Sequence, residues 1–397
     1  MLASATSSRG VTRQANTTPL KICLTSMAPF VGGAEVAVER LALGLIAEGH
    51  EVLLLLGRSG AVQDRLDKAN LRCIVSPMYH TDKWHYPRYW LARRRLRHIL
   101  QAELPDIIHS NDLPTHQIVS DAARGLGIPR ICHHRFPFPG KAIDWLNKFG
   151  GERHLFVSRA LMNEMHAESD RLRAAPCSVA HDGLPLPPLP DANQRLDARR
   201  NLGLPADKVV TIIAGQVIER KGVADLIEAW ALLAPEAAAR ALLVVVGDDL
   251  AGQAAYRQQM EQLAAQRGVA VSFVGFQKNV AEWLIAGDIA VVPSHVEPLG
   301  NATLEAMSFA LPVIGTRVGG IPEMVIHDQT GLLVEAKNPK QLSHAVSRLL
   351  EDAVLRRQLG EAGRARCESH FSLQAHTHAV LSEYQHVLRP TSVVAIS

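Results

Sequence analysis

The sequence predicts an α/β protein of two tandem, doubly wound, Rossmann-like domains. Three observations carry that reading. Short apolar runs alternate with segments of helical period along nearly the whole chain, the pattern of βαβ units and so of parallel sheets. The alternation breaks once, at Leu184 to Pro190, where four of seven residues are proline, and then starts afresh. A chain of 397 residues is also too long for one ordinary core.

Each element has its own signal. Residues 20–26 read as a buried strand, and Pro29, Gly32 and Gly33 punctuate the loop after it. Residues 34–48 place Val36, Val38, Leu41, Ala42 and Leu45 on one helical face; Gly49 stops that helix, and 52–56 is a second apolar strand. Strands follow at 71–75, 105–109, 129–135, 155–158 and 176–181, with helices at 88–103, 113–125 and 159–168. Beyond the proline run, strands at 209–214, 241–246, 271–273, 288–292, 312–315 and 331–334 alternate with helices at 223–233, 256–267, 280–286 and 301–310. Helices at 340–350, 353–369 and 373–388 close the chain. The expected organisation is a disordered tail (1–18), an N-terminal domain (19–183), a linker (184–195), a C-terminal domain (196–370), a helix that could return to the N-terminal domain (371–389) and a frayed end (390–397). Neither half carries Gly-x-Gly-x-x-Gly or a Walker loop, so a dehydrogenase or an NTPase lacks its usual signature.

Composition narrows the class. Apolar residues make up 47 % and charged residues 20 %, as in ordinary soluble domains. Five cysteines are dispersed with no pair at metal-ligand spacing, which fits a reducing cytoplasm. No apolar run approaches the ~20 residues of a membrane helix, and residues 1–18 lack the apolar core of a secretory signal. Charge is uneven: residues 1–190 hold 23 Lys and Arg against 17 Asp and Glu, and the remainder 19 against 22. Much of the excess lies in Lys83 to Arg97, where six cations alternate with Trp84, Tyr86, Tyr89 and Trp90.

The densest chemistry is in residues 291–307. Pro293 stops a buried strand, a Ser/Pro/Gly loop follows, and a helix starts at Asn301. A helix N-terminus offers unpaired N–H groups and partial positive charge, which suits phosphate, and Gly300 lets a ligand approach the backbone. Glu297 and Glu305 flank the loop. Carboxylates repel phosphate, so they fit hydroxyl groups. A sugar nucleotide supplies both the diphosphate and the hydroxyls.

Seven residues separate Glu297 from Glu305, and with Pro-Ser before and Glu-Ala-Met after, the stretch resembles the E-x7-E donor loop of glycosyltransferase family 4. Gly32-Gly33-Ala34-Glu35 is similar to that family's N-terminal glycine loop, and Val-Ala-His-Asp-Gly at 179–183 to its Val-x-x-Asn-Gly turn, with Asp182 in place of Asn. The resemblance runs from about Leu20 to Leu388 and is densest over 212–335. It implies the GT-B fold, two Rossmann-like domains facing a cleft, the N-terminal one for the acceptor and the C-terminal one for the nucleotide sugar. It implies retention of anomeric configuration, with Glu297, His134 and Lys221 as the catalytic group. Gly33, Gln216, Leu299, Gly300, Asn301, Ala302, Thr303 and Glu305 complete the donor site, Glu305 facing the ribose, and Phe276 or Gln277 lines the base. Gln216 stands where the family commonly has arginine. His133 and His134 both end a strand, and His134 is the one expected to face the cleft.

No Asp-x-Asp and no His/Cys spacing is present, so no metal ligand set and no cofactor is expected; the UDP- or GDP-sugar is the substrate. The expected activity is retaining hexosyl transfer to a saccharide or lipid-linked saccharide, as in lipopolysaccharide or exopolysaccharide synthesis. No nucleic-acid partner is expected. A GT-B sugar-nucleotide 2-epimerase and a catalytically silent nucleotide-sugar-binding module are the alternatives. The basic, aromatic segment 83–100 suggests peripheral contact of a cytoplasmic protein with the anionic face of the inner membrane, through Arg93, Arg94, Arg95 and Arg97.

Overall fold

The structure is a computed structural model that describes residues 18–28, 30–79, 86–248 and 254–388. Lys83 and Trp84 of the basic segment, Pro29, and all but Thr18 of the two expected tails lie outside these residues.

Seven parallel strands build the N-terminal sheet: β1 (Lys21–Ser26), β2 (Glu51–Leu56), β3 (Cys73–Val75), β4 (Ile107–Ser110), β5 (Arg130–His134), β6 (Arg153–Phe156) and β7 (Cys177–Val179), in the order β3-β2-β1-β4-β5-β6-β7. Their crossovers are α1 (Gly33–Ala47), α2 (Ala61–Lys68), α3 (Tyr86–Glu103), α4 (Leu113–Ala123), α5 (Gly140–Leu146), and the pair α6 (Arg159–Glu168) and α7 (Asp170–Arg173). The central strands are buried on both faces, which is why they read as unbroken apolar runs.

The C-terminal sheet has six parallel strands: β8 (Val209–Ala214), β9 (Ala241–Val246), β10 (Val271–Phe273), β11 (Ile289–Val292), β12 (Val313–Thr316) and β13 (Gly331–Val334), ordered β10-β9-β8-β11-β12-β13. Both sheets reverse strand order beside their first strand, and in open α/β sheets that point opens a crevice at the strand C-termini. The helices here are α8 (Ala192–Asn201), α9 (Val223–Ala231), α10 (Pro235–Ala239), α11 (Ala254–Arg267), α12 (Val280–Ala286), α13 (Asn301–Ser308), α14 (Ile321–Met324), α15 (Pro339–Glu351), α16 (Ala353–His370) and α17 (Leu373–Leu388).

Three differences from the sequence reading have physical causes. The amphipathic pattern is too brief in α2, α5 and α10 to stand out from loop composition. Helix α8 begins inside the expected linker because Asp191 and Gln194 form a reciprocal cap. The proline run is anchored: Leu184 is buried, and its carbonyl accepts from the Leu373 N–H at 2.9 Å. From there α17 lies along α1, where Gly44 makes room for Thr377. The Tyr384 hydroxyl meets His109 Nδ1 of β4 at 2.7 Å.

Candidate functional site

The loop between β11 and α13 is shaped by its glycines. Gly300, at φ 102°, turns the chain into α13, and among the described residues no side chain caps that helix. Its first amides are thus the orphan donors of a helix N-terminus. Behind the loop, a Cβ on Gly319 would stand 1.6 Å from the Glu297 carbonyl oxygen, so only glycine fits there. Leu299 is buried beneath the loop, and so is Thr303, whose hydroxyl has no partner among the described residues.

Lys221 arrives from the opposite strand end. It closes the short turn Glu219–Lys221 after β8, and its ammonium pairs with Glu297, which also accepts from Ser294 Oγ at 3.1 Å. Gly215, Gln216, Lys221, Pro293, Ser294 and Ala302 line one recess between the ends of β8 and β11. The Gln216 side chain accepts weakly from Arg220 at 3.5 Å. Phe276 is exposed, and Gln277 donates to the Val274 carbonyl at 2.8 Å.

The N-terminal half closes on this loop. Arg40 of α1 holds Glu305 at 3.1 Å, so the carboxylate expected to be free for a ribose has a partner. Gly33 stands against Asn301, whose side chain donates to Asp182 at 3.4 Å. Ser158 Oγ donates to the Pro298 carbonyl at 2.6 Å. Glu323 of α14 accepts from the Arg159 and Ala160 amides at the start of α6, at 3.0 and 2.9 Å, and pairs with His181 at 2.8 Å. Burial opposes the charge on Glu323, but the His181 hydrogen bond and those two amides outweigh it, holding the carboxyl below its ordinary range.

Under that contact lies a polar group the sequence did not reveal. Arg135, just past β5, forms a buried ion pair with Asp182 and donates from Nε to Asn111. Among the described residues its second terminal nitrogen has no partner, and neither has Asn301 Oδ1. Burial works against the Asp182 charge, but Arg135 beside it keeps the carboxyl below its ordinary range. Burial pushes Glu35 up, although its carboxylate accepts from the Gly32 N–H at 3.0 Å. Nothing in periodicity marks Arg135. The one sequence signal is the change to Asp182, which places an acid where an arginine needs one.

His134 requires correction. The structure does not bring it to Glu297 and Lys221: its ring is buried, stacks on Phe156 at 4.5 Å, and lies 3.0 Å from His154 Nδ1. His133, on the other face of β5, is equally buried and meets the Ala180 carbonyl at 3.2 Å. Side chains alternate along a strand, so the doubled histidine puts one ring into each layer beside the sheet. The expected absence of a His/Cys set also fails, since Cys132, His134 and His154 lie together. In the basic helix α3, Arg93 pairs with Asp121 at 2.9 Å, and Arg97 donates to the Ala122 and Arg124 carbonyls, so these two do not face outward. Arg88, Arg94 and Arg95 do, beside exposed Trp90 and Leu91.

Comparison with known proteins gives consistent matches. Residues 31–185 match the model of Glycosyltransferase Family 4, and residues 194–366 that of Glycosyl transferases group 1; between them they span most of the chain. N-acetyl-alpha-D-glucosaminyl L-malate synthase of Bacillus anthracis is 28 % identical over 382 residues, 92 % of this chain and 96 % of that protein. The lipopolysaccharide core biosynthesis glycosyltransferase LpsD of Rhizobium meliloti is 34 % identical over 186 residues, 46 % of this chain and 51 % of its own length. HepE of Anabaena, solved with UDP-glucose, superposes with a TM-score of 0.80 at 20 % identity, over 92 % of this chain and all of that one. The fold is thus GT-B, as expected.

Proposed function

This chain belongs to glycosyltransferase family 4, and on that premise we propose that it is a retaining enzyme moving a hexose from a nucleoside-diphosphate sugar to a saccharide or lipid-linked saccharide. One observation carries the proposal: Lys221, Glu297 and Glu305 surround the uncapped N-terminus of α13, at the ends of two strands. In this reading the α13 amides and Lys221 neutralise the diphosphate as the sugar departs. Glu297 accepts from sugar hydroxyls once the phosphate draws Lys221 away. Glu305 accepts from the ribose in exchange for Arg40. The C-terminal domain, 196–370, holds the donor, and 19–183 presents the acceptor. With Lys221 and the helix end supplying positive charge, the rate should be unchanged whether Mg²⁺ or Mn²⁺ is added or withheld.

A UDP-sugar is the first donor to test, because HepE was solved with UDP and with UDP-glucose. The acceptor is open between two chemistries, since one relative is named for L-malate and another for a lipopolysaccharide core. The exposed face of α3 favours the membrane-borne kind. Among the described residues no helix is long and apolar enough to cross a membrane. Three outward arginines beside Trp90 and Leu91 can still dock reversibly on anionic lipid, at about 1 kcal/mol per cation. Nucleotide release from a panel of UDP- and GDP-sugars, with and without lipid-linked and small acceptors, tests the whole reading. Acceptor-dependent release with an α-configured product is expected. Interconversion of donor sugars without any acceptor would indicate the epimerase instead. In vesicle sedimentation, binding should need anionic lipid, fall with salt, and weaken when Arg88, Arg94 and Arg95 become serine.

A further inference from the structure

Sheet register gathers three soft ligands on one face of the N-terminal sheet. Cys132 and His134 lie two residues apart on β5 and so share a face. His154 of β6 is the register partner of Cys132. Each of the three offers one ligand atom, and these atoms lie within 4.8 Å of one another in a fully buried cluster. His134 Nε2 and His154 Nδ1 are 3.0 Å apart. A tetrahedral zinc site, with Zn–N of ~2.0 Å and Zn–S of ~2.3 Å, spaces its ligand atoms by about 3.3–3.6 Å. Small side-chain adjustments therefore reach that geometry.

Two further features suit an ion. Both rings are buried, so an ion held between them would be screened from bulk solvent. The hydrogen bond between the rings also leaves polar atoms unmatched. Among the described residues His134 Nδ1 has no partner, and neither has Oδ1 of Asn147, whose amide nitrogen lies 3.4 Å from His154 Nε2. Turning that amide over lets Oδ1 accept the His154 Nε2–H, leaving Nδ1 bare toward the cluster, as outer partners of ligating histidines commonly arrange. Cys177 of β7 extends the row by one strand, but its thiol donates to the Leu172 carbonyl at 3.5 Å, so the set is three.

We propose that Cys132, His134 and His154 bind a structural Zn²⁺ ion that staples β5 to β6, with a fourth position for water. One thiolate and two imidazoles disfavour Mg²⁺, Ca²⁺ and Mn²⁺, which prefer oxygen. Binding exchanges the Cys132 S–H bond for an S–Zn bond and releases one proton to solvent. Because that proton leaves on binding, zinc uptake strengthens as pH rises. The site shares no residue with the donor loop, and the proposal does not rest on the transfer reaction.

The untagged full-length chain, purified without added metal, decides the matter by elemental analysis, Co²⁺ spectroscopy and thermal melting. About one zinc per chain is expected, with Cys132→Ser reduced by about tenfold or more. Returning Zn²⁺ to chelator-treated wild type should raise its Tm, and Co²⁺ in its place should show a thiolate-to-cobalt charge-transfer band. Should Cys132→Ser fail to fold, the wild-type Co²⁺ titration still decides. No thiolate-to-cobalt band, or a zinc content indifferent to Cys132→Ser, would overturn the proposal.

Discussion

The two halves of the molecule keep their polar groups in opposite ways. Around the loop between β11 and α13, polarity is supplied by backbone at a helix end and by side chains at the margin, with glycines drawing the segments together. In the N-terminal half it is sealed inside: a buried Arg135–Asp182 pair, and seven buried histidines if His376 of α17 is counted with the sheet it covers. His295, His327, His344 and His370 of the other half are partly or wholly exposed. A site of amides and marginal charges tolerates solvent and ligand exchange. A sealed polar core depends on every partner staying in place.

Acid should separate the halves most. Burial lowers the pKa of His109, His116, His133, His134, His154 and His376, the first two to about 3 and His154 to about 4. In the unfolded chain these rings titrate near ~6.5. Between those limits the unfolded state binds more protons, so stability is full above about pH 6.5 and is lost as pH falls, by about 1.4 kcal/mol per pH unit for each ring. Hydrogen exchange followed from pH 7.5 to 5 should show β4, β5 and β6 losing protection before β8, β11 and β12. Simultaneous loss in both sheets would erase the contrast.

Asp182→Ala comes next. It leaves Arg135 buried without its acid, at a cost of about 3–5 kcal/mol in urea unfolding, and Asp182→Asn should recover part of that. A cost under about 1 kcal/mol would mean the pair is not structural. Lys221→Ala should behave in the reverse sense, with turnover falling by about 10²- to 10³-fold and the unfolding midpoint hardly moved. An equal loss of stability and turnover would remove the distinction between the halves.

The same contrast explains what could be read from the sequence. Strands β1, β2, β8, β9 and β11 were legible because buried parallel strands are apolar throughout. The loop before α13 was legible because close backbone approach demands Gly300, and because Glu297 and Glu305 are neighbours in sequence. Arg135, Asn111 and Asp182 meet only when β4, β5 and β7 lie in register order, and no local pattern records that. The Arg40–Glu305 contact joins helices 265 residues apart. His134 was misplaced because a place at a strand end does not say whether a side chain meets the cleft or the layer beside the sheet, and here both rings are buried.

The central claim is that the C-terminal half holds a nucleoside diphosphate through α13, Lys221 and Glu305. Calorimetric titration of UDP, GDP and ADP into wild type and into Glu305→Ala, with folding checked by circular dichroism, tests it most directly. Wild type should bind at least one of the three, and Glu305→Ala should bind it about ten- to a hundredfold more weakly, or ~1.4–2.7 kcal/mol. Equal affinity in the two proteins, or no nucleotide bound by wild type, would contradict the account.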